Sequence, residues 1–216
     1  MGTLRSWLGD AHVVGAFLLC IGFWLWGAEG SAWVLEPALR SLAPRHAWTI
    51  RFGFGALVLG VVPVLVLKFG YRRSWSDLGL GLGKWRVGVP IALVVGAAGA
   101  ALMFFVSSKD ASVRAEYPLC GHAALTTGEF VAYELAYLGF FVGGELAVRG
   151  VLLFSLREKL GSAALAVLVT TAIQIVWHTG KPLPELLAAP VWGLAVGALT
   201  LRLESAWYAL FFHWVA

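Results

Sequence analysis

The sequence predicts an all-α membrane protein, a polytopic helical bundle with about seven transmembrane helices. Three observations lead there. The chain of 216 residues is 60% hydrophobic and only 13% charged, against roughly 45–50% and about 25% for soluble domains. Its apolar runs are near the roughly 20 residues a helix needs to cross a bilayer and are separated by short basic loops. Many of its 11 tryptophans, such as Trp24, Trp26, Trp33, Trp48, Trp75 and Trp85, lie near the ends of those runs, where interfacial anchoring accounts for them.

The spans follow in order. The first is about His12–Gly27, the second Trp48–Phe69 and the third Val87–Val106. The fourth, about Gly128–Leu156, is long enough to be tilted or to extend past the membrane. The fifth is about Ala163–His178 and the sixth Leu183–Leu201. The seventh starts near Ser205 and reaches Ala216, too short to span as given. Small residues such as Gly96–Ala100 read as a helix-packing face. No internal repeat or linker divides the chain. Residues 1–110 form the N-terminal helices, about three, and 127–216 a core that holds the candidate site, within one helical domain.

The loops carry an orientation signal. Arg5, Lys68, Arg72, Arg73, Lys84, Arg86, Arg157, Lys159 and Arg202 fall on one side, nine in all. Arg40, Arg45, Arg51, Lys109, Arg114 and Lys181 fall on the other, six in all. The richer side is expected to be cytoplasmic, and the amino terminus with it. The net charge of +4 is then a topology signal, and nucleic acid is not an expected partner. Cys20 and Cys120 imply no disulfide framework. The first apolar segment reads as a retained span, with no clear small-residue cleavage site.

Ionisable groups at bilayer depth are costly and persist where they pair, line a cavity or do chemistry. Glu145 and Arg149 lie four residues apart within Tyr137–Leu153, and a helix puts such residues on one face. His178 lies at a helix end before Lys181-Pro182, and His213 within the apolar run YALFFHWVA. An acid with two histidines is a minimal hydrolytic set: a general base for water, proton donors and an oxyanion stabiliser. The same set suits a metal such as zinc, but HExxH spacing is absent and no cofactor is expected. Glu134 is eleven residues before Glu145, within about 20° on the helix surface but about 16 Å away along the axis. That is too far to share one water unless the helix breaks, and Gly139, Gly143 and Gly144 permit a distortion. A rotation at Gly143-Gly144 would swing Glu145 into a site. Glu185 reads either as a first-turn acid favoured by the helix dipole or as a site residue seven positions after His178. His12, His46, His122 and Glu204 read as loop residues. The plain alternative for Glu145 and Arg149 is an internal salt bridge that fixes packing.

In order and spacing these residues resemble the CAAX-protease and bacteriocin-processing intramembrane endopeptidases (the CPBP or Abi family). The family's EExxxR motif, usually followed by Gly, corresponds to Gly144-Glu145-Leu146-Ala147-Val148-Arg149-Gly150. FxxxH corresponds to Gln174-Ile175-Val176-Trp177-His178, and the segment before HxxxN to Gly193, Gly197, Ser205, Trp207 and His213. Trp75–Leu80 (WSDLGL) is similar to a family feature ahead of the core. Three positions depart. Gly144 stands where the family has the Glu usually assigned to activating water, Gln174 replaces the Phe, and the Asn would fall at position 217, beyond the sequence.

The resemblance implies an intramembrane endopeptidase of the glutamic type, formerly called metallo-type, in a bacterial inner membrane. Its substrate would be a membrane-anchored or membrane-associated peptide. Glu145 would activate water or support what does, Arg149 would hold Glu145 ionised, His178 would bind water or shuttle protons, and His213 would stabilise the oxyanion. Glu134 and Glu185 are further candidates. The alternative, favoured by Gly144, is a non-catalytic homologue acting in membrane binding or bacteriocin immunity. Span counting sets His178 near the outer end of its helix and Glu145 and His213 nearer mid-span.

Overall fold

Long apolar runs that cannot hydrogen-bond to lipid satisfy their backbone within the segment, and so fold as helices. The computed structural model describes residues 15, 36–117, 119–120 and 125–215. The expected span His12–Gly27, with Cys20, lies outside the described residues apart from Gly15, as do Trp24, Trp26, Trp33, His122 and the first 35 residues generally. After a single turn at Glu36–Leu39 come α1 (Pro44–Gly70), α2 (Trp85–Lys109), a short α3 (Ala111–Glu116), α4 (Thr127–Leu160), α5 (Ala163–Trp177), α6 (Leu183–Leu203) and α7 (Trp207–Val215). The described residues contain no strand. Among the described residues four helices, α1, α2, α4 and α6, are long and apolar enough to cross a membrane, and the chain is an integral membrane protein. The expected second, third, fourth and sixth spans correspond to them, each a few residues longer than expected.

The fifth expected span is shorter than a crossing requires. At 15 residues, α5 is about 22 Å long, against a hydrocarbon core of about 30 Å. Ser162 caps its start by accepting from the Leu165 N–H. His178 follows directly, its N–H satisfied by the Gln174 and Ile175 carbonyls.

The longest helix, α4, begins with a reciprocal cap. The Thr126 hydroxyl accepts from the Glu129 N–H, and the Glu129 carboxylate accepts from the Thr126 N–H. This pairing satisfies two of the helix's four orphan donors. The helix remains regular through Glu145. From Leu146 to Leu152 its turns widen, and the Leu153 N–H reaches back to the Val148 carbonyl. The expected distortion therefore lies just after Glu145 rather than at Gly143-Gly144. Gly143 serves another purpose: a Cβ on Gly60 would come within 2.9 Å of the Gly143 Cα. Here α1 and α4 cross almost backbone to backbone.

The core centres on the widened part of α4, where Leu146–Leu152 are buried throughout. Val148, Val151, Leu152 and Leu153 pack with Leu59 of α1, Leu78, and Ala166 and Ile173 of α5. By contrast α2 exposes Leu93, Val94, Leu102, Phe104 and Phe105, and only one stripe around Ala92 meets α7 and α6.

The two expected sets of loops gather at opposite ends. Arg73 pairs with Glu158, and Lys84 with Glu204 at 2.8 Å. At the other end Arg45 pairs with Glu129, and Lys181 with Glu116, both at 2.6 Å. The segment Trp75–Leu80 is a tight turn at the first end. The Leu80 N–H donates to the Trp75 carbonyl at 2.8 Å, and Asp77 accepts from the Ser74 N–H at 2.9 Å. These bonds from Ser74 hold the Asp77 carboxyl below its ordinary range. The turn buries Leu78 in the core. Its Leu78 carbonyl lies 2.8 Å from where a Cβ on residue 150 would sit, which accounts for a glycine after Arg149.

Candidate functional site

Three helix segments bring the site together. The Trp75–Leu80 turn positions α7. The Ala206 N–H donates to the Gly79 carbonyl at 2.8 Å, the Trp207 indole to Leu80 O at 2.9 Å, and the Tyr208 hydroxyl to Leu82 O at 2.6 Å. Ser205, wholly buried, accepts from the Trp207 N–H. With its start pinned, α7 carries His213 to Glu145 of α4. His213 Nδ1 lies 2.7 Å from Glu145 Oε1. The same oxygen accepts from Arg149 Nη1 at 3.3 Å. Glu145 and Arg149 are each 2% exposed. The pair expected from i, i+4 spacing is therefore present, and it is buried.

On the far side, α5 supplies Gln174, whose Oε1 accepts from Arg149 Nη2. One turn later, His178 Nδ1 lies 2.7 Å from the Gln174 carbonyl oxygen. A carbonyl only accepts, so Nδ1 of His178 carries the proton and Nε2 remains available. An ionised carboxylate also only accepts, so the same holds for His213. The two imidazole rings lie nearly parallel, 16° apart with centroids separated by 6.5 Å. Phe141 packs edge-on against His213 at 4.9 Å, and Trp192 lies 6.4 Å from it.

Glu145, Arg149, His178 and His213 thus come together. The mismatch in expected depth dissolves because α5 is short, so the end bearing His178 stops beside His213. Glu145 Oε2, Arg149 Nε and Gln174 Nε2 are buried without a protein partner among the described residues.

The other candidates stand apart. No hydrogen bond or ion pair joins Glu134 to these residues, as its axial distance from Glu145 requires. Glu185 accepts from the Tyr117 hydroxyl at 2.9 Å. Desolvation, then the nearby charges, raise Tyr117 well above an ordinary phenol. Beside them Lys181 pairs with Glu116 and lies over the Tyr117 ring. Among the described residues no three His, Cys, Asp or Glu side chains are placed to share a metal ion.

Gly144 opens toward α5. A Cβ there would meet only the Trp177 ring, at 3.5 Å, so Trp177 stands where a longer side chain at 144 would extend. Gln174 was visible in the sequence only as a departure from a motif. Its signal was a lone amide in a helix otherwise of apolar residues and threonines (AALAVLVTTAIQIVW).

A family model described as type II CAAX prenyl endopeptidase Rce1-like matches residues 126–216. No curated protein and no solved structure matches the chain. The matched residues include α4 through α7 and every residue of the buried cluster, and over them the chain is similar to the Rce1-like proteins, in line with the motifs it carries.

Proposed function

We propose that the chain is an intramembrane endopeptidase that hydrolyses a peptide bond in a membrane-anchored or membrane-associated peptide. The observation that carries this reading is the meeting of Glu145, His213 and His178 from three helices, with Arg149 holding the acid. Glu145 Oε1 is engaged by both Arg149 and His213, and on this reading the carboxylate acts through His213. It orients the ring with Nδ1–H toward itself and stabilises the imidazolium that forms. Nε2 of His213 takes a proton from water as the oxygen attacks the peptide carbonyl. His178, with Nδ1 protonated, accepts from the attacking water at Nε2 and holds it in place. The Nε2–H formed on His213 then passes to the departing nitrogen as the C–N bond breaks, which restores the starting state. This reading moves the base expected at Glu145 one group outward and makes His213 more than an oxyanion donor.

The test is cleavage of a membrane-anchored reporter by purified protein, with prenylated CAAX peptides as the first substrate class because the matched family is described by them. Glu145→Ala, His213→Ala and His178→Ala each lower kcat by about 10²–10⁴-fold, while Glu134→Ala stays near wild type. Retained cleavage in all three site variants overturns the reading. High activity in His213→Ala alone assigns the water to Glu145 directly. Gly144, with Trp177 facing it, favours a second reading: a non-catalytic relative that binds a membrane peptide. In that case no reporter is cut, yet peptide binding survives Glu145→Gln.

A further inference from the structure

Gln174 touches both halves of the site, and no motif assigns it a role. Its side-chain oxygen accepts from Arg149 Nη2, and its backbone oxygen accepts from His178 Nδ1. The residue is 2% exposed, and its Nε2 has no protein acceptor among the described residues. Burying an amide donor without an acceptor is costly. An apolar residue of the same size would avoid that cost, so packing alone does not select glutamine here. What the amide adds is an acceptor for a buried guanidinium. Arg149 donates one nitrogen to Glu145 and another to Gln174, which fixes the plane of the fork. That plane sets where Glu145 Oε1 lies, and Glu145 Oε1 in turn holds His213.

We propose that Gln174 is a positioning residue: its side-chain oxygen clamps Arg149, and through Arg149 and Glu145 it sets the orientation of His213, while its backbone oxygen holds His178 independently. This rests on the peptidase reading for its kinetic consequence, but its structural consequence can be measured without activity. Replacing the side chain removes the clamp on Arg149 and leaves the bond to His178 intact. The two histidines should therefore respond differently.

The experiment uses full-length protein with ¹⁵N-labelled histidine, in wild type, Gln174→Leu and Gln174→Met. The unbranched Met variant covers the case in which Leu fails to fold. The ring-nitrogen signals of His213 should shift or broaden in the variants, while those of His178 keep the Nδ1-protonated pattern. In the reporter assay kcat should fall about ten- to a hundredfold, the scale of a small misplacement at a reacting centre, with KM within about twofold. If His213 signals and kcat both match wild type in a folded variant, the proposal is overturned. Equal disturbance of both histidines also overturns it, since that is loss of packing rather than of a clamp. If Glu145→Ala and His213→Ala cleave normally, the peptidase reading fails, while the histidine spectra still decide the role of Gln174.

Discussion

The protein holds two polar networks of similar composition in different surroundings. Around Arg149, one cation, one carboxylate and an amide are almost wholly buried, and the His213 imidazole that meets them is 27% exposed. Around Lys181, one cation, two carboxylates and a phenol link α3, the turn after α5 and the start of α6, and there the ion-pair side chains are 28% and 33% exposed. Water can replace a lost partner in the second network. In the first only protein can, so breaking one contact leaves a buried charge unanswered. The contrast separates groups that tie loops together from groups able to do chemistry.

The sharpest way to break this contrast is Glu145→Ala. It should cost about 3–5 kcal/mol by leaving Arg149 buried and unpaired, read as a fall in Tm in detergent. Adding Arg149→Met should restore most of that stability but none of the cleavage. A double variant as unstable as Glu145→Ala alone would show that the pair does not set the cost. Next in size is a test of two neighbouring glycines. Gly143→Leu drives a side chain into the α1 backbone at Ala56 and Gly60 and should cost at least about 1–3 kcal/mol as overpacking. Gly144→Ala meets only Trp177 in ordinary contact and should stabilise the helix by about 0.5–1 kcal/mol. Equal effects at the two positions would contradict the crossing described above.

Smaller again is Lys181→Met in the outer network, expected to change stability by about 0–1 kcal/mol and kcat by less than about twofold. A large loss there would make that network part of the site. The smallest effect belongs to Asp77. Its folded pKa is held below the usual 3.8 by the bonds from Ser74, so its contribution is present above that pH and is lost as pH falls through the lower folded value. Wild type should therefore approach the Tm of Asp77→Asn only below about pH 4. A constant difference down to pH 2 would contradict this sign.

The sequence made much of the inner network readable and little of the outer one. Glu145 and Arg149 were legible because charge in an apolar run is costly and their spacing is that of one helix face. His213 was conspicuous for the same reason, and helix rise set Glu134 about 16 Å from Glu145 along the axis. Gln174 and Arg149 are 25 residues apart on different helices, and no local periodicity links them. Tyr117 and Glu185 are 68 apart, so the tie that removes Glu185 from the histidine cluster was also invisible. Among the spans, the apolarity of α5 was plain. That it ends at Trp177, before crossing, depends on the turn Thr179–Lys181 and on Pro182. The capping box at Thr126 and Glu129 was readable from Thr-x-x-Glu alone, but its second partner, Arg45, was not.

A helix of about 22 Å in a layer about 30 Å thick leaves roughly 8 Å without a matching apolar wall. If α5 starts at one face of that layer, lipid thinning, neighbouring protein or water would fill the depth it does not reach. His178 sits at that shortfall. On the peptidase reading, that mismatch would bring water, the reactant that a hydrolase in a membrane lacks, to the place where the two imidazoles meet, and would make bilayer thickness a determinant of how well the site is supplied.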